Sequence, residues 1–188
     1  MSSLLTSLLT FLSSLLHSLP FFNPPSSTPL KTVLLGLQNS GKSTFLSPQT
    51  LHPPTLRPST STLQIGRRTF TTIDLGGQKN LRHIWKDYTP KSSIIIFIID
   101  ITTYSTSLPS LKNEFTQITN TFEGPIAVCY NKIDLMTSSP SIEEYKKMLI
   151  DDEEDDEDIK FFFTSGLKGE GVKDVFEWLG EKCDEGLE

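Results

Sequence analysis

The chain of 188 residues carries 17 basic and 23 acidic side chains, a net charge of −6, with 36% hydrophobic residues. That length supports one sizeable core and excludes a second full domain. Eight of the acids form a single run from Asp151 to Asp158; without them 15 acids face 17 bases, so no basic surface is strong enough to hold nucleic acid by charge.

Leucine pairs at Leu4/Leu5, Leu8/Leu9 and Leu15/Leu16, joined by Phe11, Leu12 and Leu19, recur in steps of three and four. Ser3, Thr6, Ser7, Thr10, Ser13, Ser14, His17 and Ser18 fall between them. This period predicts an amphipathic helix over 1–22. Polar interruptions and Pro20 keep it short of the roughly 20 apolar residues that a membrane span needs. No positive residue precedes the apolar segment and no small-x-small site follows it, which disfavours a secretory signal. Two uses remain open, a groove on the chain's own domain or insertion of residues 4–19 into a membrane surface. The polar face lacks Lys and Arg, so lipid attachment would rest on Leu and Phe. Ser2 stands where N-myristoylation needs glycine. Pro24, Pro25 and Pro29 mark 23–30 as an extended linker into a domain over 31–188.

Lys31 to Leu35 reads as a short strand, and Gly36-Leu-Gln-Asn-Ser-Gly41-Lys42-Ser43 follows at the spacing GxxxxGK[ST]. Glycines let backbone N–H groups turn toward phosphate oxygens, and the helix start adds partial positive charge. Lys42 then reaches the terminal phosphates and Ser43 ligates Mg²⁺; Asn39, Ser40, Gly41 and Thr44 complete the phosphate-binding set. Proline at 48, 53 and 54 predicts that the helix stops near Leu46 or Ser47. Thr69 to Leu75 alternates as a strand and ends in Asp74-Leu-Gly-Gly77-Gln78. Asp74 can hold Mg²⁺ through a water, Gly77 can offer its N–H to a γ-phosphate, and Gln78 can orient an attacking water, which makes Gln78 and Lys42 the catalytic candidates.

Pro125 to Tyr130 reads as a buried strand leading into Asn131-Lys132-Ile133-Asp134. A carboxylate at Asp134 can accept from both guanine N1–H and the 2-amino group, a donor pair that adenine lacks. After the acidic run, read as a solvated loop, comes a strand at Ile159 to Phe163. It ends in Thr164-Ser165-Gly166-Leu167, whose backbone can meet guanine O6. Cys129 and Cys183 show no CxxC spacing and read as packing residues of a reducing compartment. The expected fold is α/β, with strands near 31–36, 61–66, 69–75, 93–99, 125–130 and 159–163, helices on both faces, and a last helix from Gly171 to Cys183.

These ordered motifs resemble a Ras-like small GTPase, a P-loop NTPase with a six-stranded, mostly parallel sheet. The amphipathic N-terminus, Gly76-Gly77 and Trp85 resemble the branch of Sar and Arf proteins. Pro54-Thr-Leu-Arg-Pro-Ser and Ile84-Trp-Lys-Asp-Tyr are most similar to Sar, the secretion-associated, Ras-related GTPases. The resemblance implies that Thr55 of switch I ligates Mg²⁺ beside Ser43 and Asp74. It also implies a cytoplasmic GDP/GTP switch that works reversibly on endoplasmic reticulum or Golgi membranes. An exchange factor, a GTPase-activating protein and COPII-type coat subunits are the expected partners. The chain departs from Sar proteins at Gln78, where they usually carry His, and by a short segment, only thirteen positions from Lys42 to Thr55. An Arf-like GTPase of another membrane and a nucleotide-bound scaffold with little hydrolysis are the alternatives. Arg67, Arg68 and Arg82, the arginines nearest the motifs, are expected at a hairpin turn and a helix surface, exposed to solvent.

Overall fold

The structure, a computed structural model, describes residues 29–47, 52–65, 68–137, 141–150 and 156–185. The helix expected over 1–22 lies outside them, as do Arg67 and most of the linker.

Strand β1 (Leu30–Leu35) leads into the short helix α1 (Lys42–Leu46), and the hairpin of β2 (Ser59–Ile65) and β3 (Arg68–Asp74) follows. A 3₁₀ segment (Lys79–Ile84) and one turn of helix, α2 (Trp85–Tyr88), connect to β4 (Ile94–Asp100). Helix α3 (Tyr104–Thr119), β5 (Ile126–Asn131), α4 (Ile142–Leu149), β6 (Ile159–Thr164) and α5 (Val172–Glu185) complete the order. The strands lie as β2-β3-β1-β4-β5-β6, antiparallel only between β2 and β3. From β1 the chain moves first to one side of the sheet and then to the other. The crevice at the carboxyl end of β1 is therefore where a ligand is expected in such a sheet.

Every residue of β4 is buried, because helices cover both faces of a parallel sheet. Side chains alternate between the faces. Ile95, Phe97 and Ile99 pack with Tyr104, Leu111 and Phe115 of α3 on one side, whereas Ile94, Ile96 and Ile98 pack with Phe45, Val175, Phe176 and Leu179 on the other. Cys129 is buried in the second of these cores. Asp156, Glu157 and Asp158 of the acidic run are exposed.

The six expected strands are all present, with small shifts. Leu30 belongs to β1 rather than to a linker, and the last helix runs Val172–Glu185. β2 starts at Ser59 instead of 61, opposite Asp74. Its run Ser-Thr-Ser-Thr is exposed on an edge strand, so no apolar alternation marks its beginning, and pairing with β3 decides it. Helix α1 stops at Leu46 as the prolines require.

Candidate functional site

The loop after β1 takes backbone conformations that few residues tolerate. Gly36 has φ 144°, and a Cβ there would stand 2.1 Å from Ile98 O; Gly41 has φ 94°, and its Cβ would stand 2.4 Å from Asn131 Nδ2. Asn39, at φ 62°, is among the residue types that accept the left-handed region. The loop so folded surrounds Lys42, whose ammonium donates to Gly36 O and Leu37 O at 2.9 Å each and to Ser40 Oγ at 3.4 Å. Burial brings its pKa down to about 8, with Asp74 acting to raise it and Arg82 to lower it.

At the end of β3, Asp74 is 5% exposed and gathers two hydroxyls on one oxygen. Ser43 Oγ donates to Asp74 Oδ2 at 2.5 Å, Thr55 Oγ1 donates to the same atom at 3.2 Å, and the hydroxyls lie 3.2 Å apart. Asp74 Oδ1 is buried without a hydrogen-bond partner. The short segment before Thr55 therefore still brings it to Ser43 and Asp74. One carboxylate and two hydroxyls, with a carboxylate oxygen left over, form a hard-oxygen donor set that fits Mg²⁺ completed by phosphate oxygens. Among the described residues no group of three His, Cys, Asp or Glu offers another metal site.

Gly76 and Gly77 close the Lys42 end of the crevice. A Cβ on Gly76 would meet Thr55 O at 2.7 Å, and one on Gly77 would meet Gly36 O at 2.5 Å, so this turn lies directly on both neighbouring loops. A cleft of about 430 Å³ is lined by Asn39, Lys42, Ser43, Thr55, Gly77 and Gln78, with Thr44 at its wall.

The base end is built by Asn131. Its amide donates to Ser40 O at 2.9 Å, and its Oδ1 accepts from Gly166 N at 2.8 Å and from Thr164 Oγ1 at 3.3 Å. One side chain thus joins the loops after β1, β5 and β6. Ser165 Oγ donates to Asp134 Oδ1 at 2.5 Å and accepts from Lys168 N at 3.1 Å, while Leu167 is 62% exposed. Lys132, left-handed at φ 70°, pairs with Asp100 Oδ2 at 2.6 Å. Asp100 Oδ1 is held by Thr102 N at 3.0 Å and Thr102 Oγ1 at 2.6 Å. A sheet of this order, a glycine loop on a lysine, and an Asn-Lys-x-Asp turn knitted to that loop meet in one crevice.

The model of the ADP-ribosylation factor family matches residues 19–183. The chain belongs to that family. It is 31% identical over 170 residues to the Small COPII coat GTPase SAR1B of Dictyostelium discoideum, covering 81% of this chain and 86% of the relative. It is also 31% identical over 171 residues to the ADP-ribosylation factor-like protein alp41 of Schizosaccharomyces pombe, covering 83% and 87%. Among solved structures, the Arl6 BBS3 small GTPase from Trypanosoma brucei with bound nucleotide analogue GppNp superposes with a TM-score of 0.70 at 27% identity, covering 84% of this chain and 99% of that one. The fold is the small G domain of this family.

Within this family member the expectation for Arg82 is corrected. Its side chain is only 13% exposed and pairs with Glu114 Oε1 at 3.1 Å, because α3 passes alongside the 3₁₀ segment. Arg68, first in β3, packs against α5, where a Cβ on Gly180 would touch its guanidinium. Asp100 escaped the sequence reading, as did the bond from the Thr164 hydroxyl to Asn131, although Thr164 stood in the last motif. An acid ending the run Ile-Ile-Ile-Phe-Ile-Ile was the available signal for Asp100, since it marks the carboxyl end of a buried parallel strand.

Proposed function

We propose that the chain is a GDP/GTP switch that hydrolyses GTP slowly alone and faster with an activating partner. In this reading its GTP form attaches to a membrane through residues 4–19 and recruits a COPII-type coat for transport from the endoplasmic reticulum to the Golgi. The observation that carries it is that Asn131 ties the glycine loop around Lys42 to the turn that carries Ser165, the residue bonded to Asp134. Lys42 would exchange its two carbonyl partners for phosphate oxygens, and the N–H groups of residues 39–44 would receive the phosphates. Asp134 would pair with guanine, supported by Ser165, with the backbone of Ser165, Gly166 and Leu167 at the base edge and Asn131 and Lys132 holding the turn. Ser43, Thr55 and Asp74 would hold Mg²⁺, which when bound neutralises charge on the phosphates. Gly77 would meet the γ-phosphate with its N–H, and Gln78 would orient the attacking water.

Flotation with small, defect-rich liposomes tests the switch. The form loaded with a non-hydrolysable GTP analogue should float and the GDP form should not. Replacing Leu8, Leu12 and Leu15 by Ser should abolish flotation while leaving nucleotide binding intact. Equal flotation of both forms would refute nucleotide-controlled attachment. Single-turnover hydrolysis distinguishes the switch from a scaffold that never cleaves GTP. An Arf-like role on another membrane is the second reading, favoured by Gln78 and by the similarity to alp41. Localising a tagged copy separates the two.

A further inference from the structure

Two consecutive peptides of the turn after β3 are held at their carbonyls by side chains of the segment that follows. The Gly76–Gly77 peptide accepts at Gly76 O from Trp85 Nε1 at 3.1 Å. The next peptide, Gly77–Gln78, accepts at Gly77 O from Arg82 Nε at 3.0 Å. Both are trans, so each N–H faces away from the donor on its own carbonyl. These N–H groups belong to Gly77 and Gln78, which line the phosphate cleft, whereas Trp85 and Arg82 line a separate cavity of about 330 Å³ beside α3. Each of the two peptides is thus bonded at its carbonyl to a residue lining the second cavity, while its N–H belongs to a residue lining the first.

Arg82 is itself fixed from behind. Its Nη1 donates to Ser110 Oγ at 3.0 Å and to Glu114 Oε1 at 3.1 Å, and the pair is 13% and 16% exposed. Ser110 and Glu114 are one turn apart on α3, whose Leu111, Phe115 and Ile118 are buried in the core. A guanidinium is planar, with donors in a rigid fork, so anchoring one edge on a helix aims the other.

We propose that Arg82, anchored by Glu114 and Ser110, is a positioning residue for hydrolysis, setting the Gly77–Gln78 peptide and hence the start of the Gln78 side chain. This rests on the reading of Gln78 given above. The same arrangement occupies Arg82 with three acceptors on the far side of the turn, so it is not a group that reaches phosphate from within the chain.

Single-turnover hydrolysis of preloaded GTP by the full chain, measured beside the GDP dissociation constant and the melting temperature, tests this. Arg82→Ala should slow hydrolysis about tenfold or more, and Glu114→Ala less, with GDP affinity within about twofold of wild type, since misplacing a catalytic group costs rate without ground-state binding. Arg82→Lys keeps the charge but cannot reach Gly77 O and the α3 pair of Ser110 and Glu114 at once, so it should stay near the alanine variant. Glu114→Gln keeps an acceptor and should recover most of the rate. Wild-type rates in Arg82→Ala and Glu114→Ala would overturn the inference. So would a loss of rate matched by an equal loss of GDP affinity, which marks a purely structural ion pair. If Arg82→Ala fails to fold, Glu114→Ala and Glu114→Gln decide alone. A wild-type chain that binds no guanine nucleotide overturns the reading of function and this inference with it; a wild type that hydrolyses GTP beside unaffected variants overturns the inference only.

Discussion

The two ends of the crevice are built differently. At the base end the side chains satisfy one another. Asn131 bridges Ser40, Gly166 and Thr164, Ser165 holds Asp134, and Asp100 holds Lys132. At the other end Lys42 spends its donors within the loop, on two carbonyls and the Ser40 hydroxyl, while two hydroxyls share one oxygen of Asp74 and its other oxygen is unpartnered. A buried polar atom without a partner costs roughly 1–3 kcal/mol. One end is therefore a closed hydrogen-bonded frame, whereas the other keeps a buried carboxylate oxygen of Asp74 without a partner.

If that contrast holds, the largest effect should come from the selecting acid. Asp134→Asn should weaken GDP binding about 10³-fold or more, the loss of a charged pairing to two donors, and should admit xanthine nucleotides. Nucleotide competition measures both. Unchanged preference for guanine over xanthine would place selection elsewhere.

Asn131→Ala strikes the frame itself. Ser40 O and Gly166 N would lose their partner, at about 2–5 kcal/mol in all. Calorimetry of the nucleotide-free chain should register a fall in Tm of roughly 5–15 °C. An unaltered Tm with lost nucleotide binding would mean that the loops are joined by other contacts.

Ser43→Ala should cost the nucleotide-free chain about 1.5–3 kcal/mol through the lost bond to Asp74 and reduce Mg²⁺-dependent nucleotide retention roughly 10- to 100-fold. Chelation with EDTA should accelerate nucleotide release from the wild type and change little in this variant. Equal acceleration in both would detach Ser43 from the metal. The smallest change is expected from Thr55→Ala, roughly threefold to tenfold weaker Mg²⁺ dependence, confined to the GTP form. A matching effect on the GDP form would show that the segment stays closed in both states.

The legible parts of the site are those whose signal is local. A glycine that must take φ 144° or 94°, a lysine next to a helix start, and a buried strand ending in Asn-Lys-x-Asp each place their chemistry within a few residues. Proline at 48 announced the early stop of α1 without any knowledge of its neighbours. What escaped was partnership across distance. Arg82 read as an exposed helix-surface residue until α3 supplied Glu114 and Ser110, 32 and 28 residues away in sequence. Asp100 acquired its meaning from Lys132, also 32 residues away, and β2 acquired its first residues from β3.

By itself the sequence determined the order of strands and helices and the glycine loop that folds around Lys42, because backbone conformation and burial are written in composition and spacing over a few neighbouring residues. Only the tertiary structure decided that thirteen positions suffice to bring Thr55 to Ser43 and Asp74, and that Arg82 turns inward to Gly77. Hydroxyls and guanidinium groups carry no preference for one distant partner over another. The partner each one meets is selected by how the sheet and helices pack.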